Sequence, residues 1–222
     1  SHLPSLQPPP PAQRFPPAPC GGHSVALWMR DPADAQALAA AGENRRFLPG
    51  VRLHDSVRPT ADPGALARAA LALIVVPTQA IRAVLDAIGP ALPASCPLVL
   101  CAKGIERGTG LFVSEVAASV RPHASLAVLS GPSFASDVAC GLPTAVTLAA
   151  FDEARAGDLA RALSGPALRV YHGTDVRGVE IGGAAKNVLA IAAGIVEGRR
   201  LGESARAALV ARGFAELLRF AR

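Results

Sequence analysis

Leu98-Val99-Leu100-Cys101-Ala102-Lys103-Gly104 is an apolar run of five residues that ends in a lysine and a glycine. A run without inside-outside alternation fits a strand covered on both faces, as in a parallel sheet flanked by helices. The chain on either side repeats the pattern. Residues 71–76 form a second continuous apolar run, stopped by Pro77, and 78–88 follow with helical periodicity. Beyond the quoted stretch, 111–120 reads as a helix and 126–129 as a strand entering Gly131-Pro132-Ser133-Phe134-Ala135. Residues 144–149 read as a strand, 152–163 as a helix and 168–171 as a strand. Near the start, 25–28 reads as a short buried strand, with Asp31 to cap and Pro32 to open a helix reaching about Ala41. Apolar strands alternating with helices predict an α/β fold, built from βαβ units around a mainly parallel sheet.

Two composition shifts bound that region. Eight of residues 1–20 are proline, which lacks the N–H that helices and ladders need, so a disordered, polyproline-like tail is expected there. After Gly173 the strand signal stops. Residues 176–197 read as a small-residue helix rich in Ala and Gly, and 204–220 as a second helix. The expected organisation is a tail over 1–20, an α/β domain over 21–173 and the start of an all-helical domain over 174–222.

Composition narrows the function classes. Half of the 222 residues are hydrophobic but only 4% are aromatic, so a large core must be aliphatic. The formal charge is +5, yet the arginines are scattered and few aromatics could stack on bases, so no nucleic-acid partner is expected. A mildly positive cleft for a phosphorylated small molecule fits the same balance. Cys20, Cys96, Cys101 and Cys140 lack CxxC spacing, and the five histidines form no HxH or HExxH pattern, so neither a disulfide framework nor a metal is assigned. The longest apolar stretch, 179–196, contains Glu180, Lys186 and Asn187. A lysine near the centre of a membrane span costs about 3 kcal/mol, so no span is expected. With no secretory signal at the start, the expected location is cytoplasmic.

Three groups carry the chemistry. Ligands of open parallel sheets bind at the carboxyl ends of the strands, and Lys103 follows such an end directly. Its ammonium either projects into the crevice to meet an anion or sits in a solvated loop. The Gly131-Pro132-Ser133 turn leads into a helix start, where free backbone N–H groups suit an anion, although an ordinary strand-to-helix turn has the same form. Lys186-Asn187 lies among small and apolar neighbours around most of the helix circumference, so the helix is expected to be largely buried. A buried lysine has its pKa lowered toward the range of proton exchange near neutrality; the alternative is snorkelling to the surface. Gly182 and Gly183 cost helix stability, about 1 kcal/mol each against Ala, which implies that a backbone or a ligand comes close.

The segments 27–32 (LWMRDP), 43–50 (ENRRFLPG), 102–106 (AKGIE), 114–116 (SEV), 131–144 (GPSFASDVACGLPT) and 175–213 (DVRGVEIGGAAKNVLAIAAGIVEGRRLGESARAALVARG) together resemble the NAD(P)-dependent glycerol-3-phosphate dehydrogenase family. The resemblance implies a Rossmann-like domain followed by a helical substrate domain, with NAD or NADP as cofactor. It implies reversible hydride transfer between nicotinamide and the oxygen-bearing carbon of dihydroxyacetone phosphate or sn-glycerol 3-phosphate, in phospholipid synthesis. By resemblance Lys186 is the general acid and base, Lys103 touches substrate and cofactor, and Gly131, Ser133 and Asn187 contact substrate. Ala135, Arg30 and Phe47 (where the family often has Tyr) fall at cofactor positions, and an Arg at 30 could accommodate the 2′-phosphate of NADP. The family's opening strand and glycine-rich turn, and the later helices that bring an Asp and a Ser-Arg-Asn group to the phosphate, have no counterpart here, so the chain is expected to be incomplete. An inactive remnant or binding module with the same fold therefore stays open, as does a homodimer.

Overall fold

The computed structural model describes residues 22–220, so the proline-rich segment expected over 1–20 lies outside the described residues. The chain builds two separate sheets. In the first, β1 (Val25–Trp28) pairs in parallel with β2 (Val57–Thr60), and α1 (Pro32–Ala41) is the crossover. α1 starts as expected: Asp31 Oδ1 accepts from the Ala33 N–H at 2.8 Å and Pro32 opens the first turn. Gly42 ends it in the left-handed conformation that glycine adopts without a steric cost.

The second sheet has five strands in the order β3 (Ala72–Ile74), β4 (Leu98–Leu100), β5 (Leu126–Ser130), β6 (Thr144–Ala150) and β7 (Leu168–Gly173). All neighbours are parallel except β5 and β6, so the mainly parallel α/β expectation holds. One 3-10 turn, Thr78–Ala80, leads into α2 (Ile81–Ile88). Then come α3 (Val113–Val120), α4 (Ala135–Ala139), α5 (Glu153–Leu163), α6 (Val176–Gly198) and α7 (Glu203–Phe220).

β4 is the strand that its sequence promised. Leu98 and Leu100 point into one core layer with Ile81, Leu85, Val113 and Val116, while Val99 points into the opposite layer with Leu148, Ala156 and Leu159. All three β4 residues are fully buried. The flanking strands differ from expectation. Leu73 of β3 and Leu27 of β1 are exposed, so neither strand is covered on both faces. Both have an edge that carries no strand among the described residues: β3 ends its sheet, and β1 pairs with β2 alone. A continuous apolar run therefore states what a strand could bury, and the neighbour decides what it does bury. β2, Val-Arg-Pro-Thr, has no apolar pattern at all; it is a strand because the α1 crossover lays it beside β1.

α6 and α7 follow without a strand, as the small-residue pattern predicts. Asp175 caps α6, its Oδ1 accepting from the Gly178 N–H at 2.8 Å. α7 packs along α6, with Gly213 against the Leu189 side chain. Only the first two turns of α6 are covered: its buried residues are Val176, Glu180, Ile181 and Gly183, and α7 has none.

Candidate active site

β3, β4 and β5 run in parallel, so the segments that follow them emerge along one edge of the sheet. These are Pro77-Thr78 after β3, Cys101 to Gly104 after β4, and Gly131 directly after Ser130 of β5. The strand end at β4 is dry enough that burial pushes the Cys101 thiol up to about 11. The first turns of α6 pack onto this edge. A Cβ at Gly183 would lie 2.9 Å from Ser130 Oγ and 3.4 Å from Lys103 Cγ, so only glycine lets α6 come this close. The close approach expected at the Gly182-Gly183 pair thus belongs to Gly183, since nothing lies within 4 Å of a Cβ at Gly182. Two further glycines tighten the edge. A Cβ at Gly131 would lie 2.9 Å from Val146 Cα, and one at Gly104 (φ +142°) would lie 3.1 Å from Thr78 Oγ1.

Lys103 is half-buried in this crevice. Burial holds its pKa below the ordinary lysine value, and the charge of Lys186 pushes the same way. Lys186 stands three residues beyond Gly183, one helical turn along the same side of α6. Among the described residues no carboxylate pairs with either ammonium, and neither makes a hydrogen bond. These are the only two lysines in the sequence; the other twenty of its twenty-two basic residues are arginine. The fold thus brings its two compact, titratable cations into mutual electrostatic range, with no counter-ion for either among the described residues.

The expected burial of Lys186 is not what the structure shows. Lys186 and Asn187 are exposed, because past Gly183 α6 has only α7 against it and the apolar neighbours Val188, Ile191 and Ile195 are open as well. Lys186 follows the snorkelling alternative. Ser133 and Ala135, at the start of α4, are exposed. Arg30 is exposed just beyond β1, and Phe47 is 74% exposed with the Arg46 guanidinium 4.9 Å above its ring. No hydrogen bond or ion pair among the described residues joins Arg30 or Phe47 to the lysine pair. Of the sequence-derived residues, the fold gathers Lys103, Gly131 and Lys186, and leaves Arg30 and Phe47 on the β1–α1–β2 unit.

Two residues at this edge escaped the sequence reading. Ser130 touches Gly183, and its only signal was its place before Gly131. Thr78 follows β3 as Lys103 follows β4; its hydroxyl is buried without a hydrogen-bond partner. Glu180 does not reach Lys186 but ties α6 to α3. Its Oε1 accepts from the Ser114 N–H at 2.8 Å, its Oε2 has no hydrogen-bond partner, and burial raises its pKa above the usual carboxylate range. Arg177 flanks it, 2.7 Å from Glu115 and 4.1 Å above the Phe112 ring.

Comparison with known proteins accords with the arrangement. Residues 19–156 match the family profile described as NAD-dependent glycerol-3-phosphate dehydrogenase N-terminus, and residues 175–222 match its C-terminus counterpart. The chain is 61% identical over 202 residues to the glycerol-3-phosphate dehydrogenase [NAD(P)+] of Beijerinckia indica subsp. indica, covering 91% of this chain and 60% of that protein. The Methylobacterium radiotolerans protein of the same name is also 61% identical over 202 residues, with 90% and 61% covered. A crystal structure of glycerol-3-phosphate dehydrogenase from Coxiella burnetii superposes with a TM-score of 0.81 at 38% identity, over 89% of this chain and 61% of that one. The chain therefore spans about three fifths of the length of the relatives it matches. With both profiles in order and the lysine pair at the shared edge, the chain belongs to the NAD-dependent glycerol-3-phosphate dehydrogenase family.

Proposed function

We propose that this chain carries the lysine pair of an enzyme that interconverts sn-glycerol 3-phosphate and dihydroxyacetone phosphate with NAD or NADP, for glycerophospholipid synthesis. The observation that carries the proposal is the seating of Gly183 against Lys103, which sets Lys186, the other lysine of the sequence, one helical turn further along at the edge where a parallel sheet presents its ligands. Two cations that act on each other electrostatically, with no carboxylate paired to either among the described residues, favour an anion between them, and a phosphorylated substrate meets that need. Lys103 holds the negative charge. Gly131, Ser133 and Asn187 line the substrate side in this proposal, and Lys186 exchanges a proton with the substrate oxygen that changes between carbonyl and alcohol.

The residues present fit a dinucleotide. The buried Thr78 hydroxyl lacks a partner at the same edge, and Gly104 and Gly131 bring backbone close without side chains in the way. Arg30, Phe47, Lys103 and Ala135 are the groups that would hold it. The nicotinamide, when bound, supplies or accepts the hydride. Because Lys186 is exposed, its part as acid and base requires the second half of α6 to be covered in the reacting complex.

We place the dinucleotide part at residues 21–173 and the helical substrate part at 174–222, in a cytoplasmic protein. α6 is long and apolar enough to cross a membrane by length and composition. Buried Glu180 and the seating of Gly183 on Lys103 and Ser130 support a docked helix instead. No feature among the described residues favours the non-catalytic alternative, and the open homodimer question is one for sedimentation.

The test is oxidation of NADH or NADPH that depends on dihydroxyacetone phosphate, by the protein and its Lys186→Ala variant. The variant is expected to lose about 10²- to 10⁴-fold in kcat with KM changed far less. Unchanged turnover in the variant overturns the role of Lys186.

A further inference from the structure

Lys103 opens a long connection, residues 101–112, between β4 and α3. Gly108 and Gly110 sit in the left-handed region within it, and the loop closes on itself through the Glu106 N–H to the Leu111 carbonyl at 2.9 Å and the Gly110 N–H to the Glu106 carbonyl at 3.0 Å. Side chains of the Thr78–Ala80 turn and of the start of α2 add anchors from outside the loop. The Gln79 carboxamide donates from Nε2 to the Ile105 carbonyl at 2.8 Å and accepts the Arg107 N–H on Oε1 at 2.9 Å. One side chain thus bridges two residues of the loop in the donor-and-acceptor manner of a neighbouring strand. Arg82 grips Glu106 between them with two hydrogen bonds, Nε to Oε1 at 3.1 Å and Nη2 to Oε2 at 2.9 Å. Thr109 Oγ1 donates to the same carboxylate at 2.6 Å, and Arg82 Nη1 donates to Ser119 Oγ at 2.8 Å. Thr78 Oγ1 fills the space where a side chain at Gly104 would stand.

We propose that residues 78–82 form a bracket that positions Lys103, and that Gln79 is its separable positioning residue. The inference rests on reading Lys103 as the anion-holding lysine, and it deepens that reading. Among the described residues the Lys103 ammonium has no hydrogen-bond or ion-pair partner, so its direction comes from its own backbone, and residues 78–82 hold that backbone one to four residues further on, at Gly104, Ile105, Glu106 and Arg107. Gln79 is exposed and buries nothing, so replacing it removes two hydrogen bonds from the loop without opening the core. Loosening the loop lets water reach Lys103 and lets it move away from Lys186, and both changes relieve what lowers its pKa.

The two lysines make the test clean, because selective isotope labelling of lysine side chains gives two resonances in the whole chain. The Lys103 titration midpoint is expected to move upward in Gln79→Leu and again in Gln79→Ala. Asp152→Ala serves as a control, since it removes the Arg155 cap hydrogen bond of α5 on a different element and lowers thermal stability without touching the loop. A Lys103 midpoint that stays put in both Gln79 variants, or moves equally in the Asp152 variant, overturns the bracket. No substrate enters this measurement, so a shifted midpoint together with an absence of turnover would count against the enzyme reading and leave the bracket standing.

Discussion

α6 lives in two environments. Its first two turns bury Val176, Glu180, Ile181 and Gly183 against α3 and the sheet, whereas Val188, Ile191 and Ile195, further along, are each more than half exposed. The composition hardly changes between the halves; both are small and apolar. What changes is the partner. The first half meets a strand edge and the start of α3, and the second meets only α7, which buries nothing itself. Lys186 falls just past the boundary, so its seat is fixed by the covered half and its solvation by the open one. An apolar helix is thus a capacity for burial, realised only where a neighbour covers it.

The largest effect belongs to the covered side. Leu100 is fully buried in β4, and Leu100→Ala should cost about 2–5 kcal/mol in chemical denaturation, through lost transfer energy and the cavity it leaves. A cost under 1 kcal/mol would show that the five-stranded core is no better packed than the helical end, and the contrast would fail.

Next comes the seating of α6 itself. Gly183→Ala pushes a methyl toward Ser130 Oγ and Lys103 Cγ and should cost about 1–3 kcal/mol, as overpacking does. Gly182→Ala has open space and should gain about 0.5–1 kcal/mol from helix propensity. Opposite signs at adjacent glycines, read by thermal unfolding, would locate the contact face of α6; equal signs would erase it.

Glu180 gives a smaller, pH-dependent effect. Burial raises its folded pKa above that of the unfolded chain, so the folded state binds more protons between the two values. Its contribution is therefore lost as pH rises out of the ordinary carboxylate range. Glu115 and Glu106 act in the opposite window: hydrogen bonds from Arg177 and Arg82 hold their carboxyls low, and that stability is lost as pH falls. Glu180→Gln keeps an acceptor for the Ser114 N–H and should gain about 1 kcal/mol at neutral pH, and little in acid, because no buried charge remains. A stability profile parallel to the parent from acid to neutral pH would show that Glu180 is already hydrated.

The same division explains what could be read from the sequence. β4, the Asp31-Pro32 start of α1 and the two long helices were legible because local pattern and final neighbours agree there. β2 was not, because Val-Arg-Pro-Thr becomes a strand through pairing and carries no periodicity of its own. The exposure of β1, β3 and Lys186 was misread for the opposite reason: their apolar surroundings signalled a burial that the neighbours do not supply. Lys103, Gly131 and Lys186 were visible as residue types in telling places. Gln79 and Thr78 were not, since an exposed glutamine and a threonine after a strand have no signature until the loop they hold is seen.

The smallest expected effect tests the open side. Ile191 is 66% exposed, so Ile191→Lys should change unfolding free energy by about 0.5 kcal/mol or less while making the chain more soluble. The substitution adds a charge to an apolar face, and the outcome depends on what that face meets in solution. If the face stays bare, the lysine is hydrated and only self-association falls. If the face is covered, the same lysine loses its water and the cost rises toward the several kcal/mol of an unpaired buried charge. A large cost would therefore move the boundary past Lys186, and the covered, desolvated amine that the proposed proton transfer needs would already be in place.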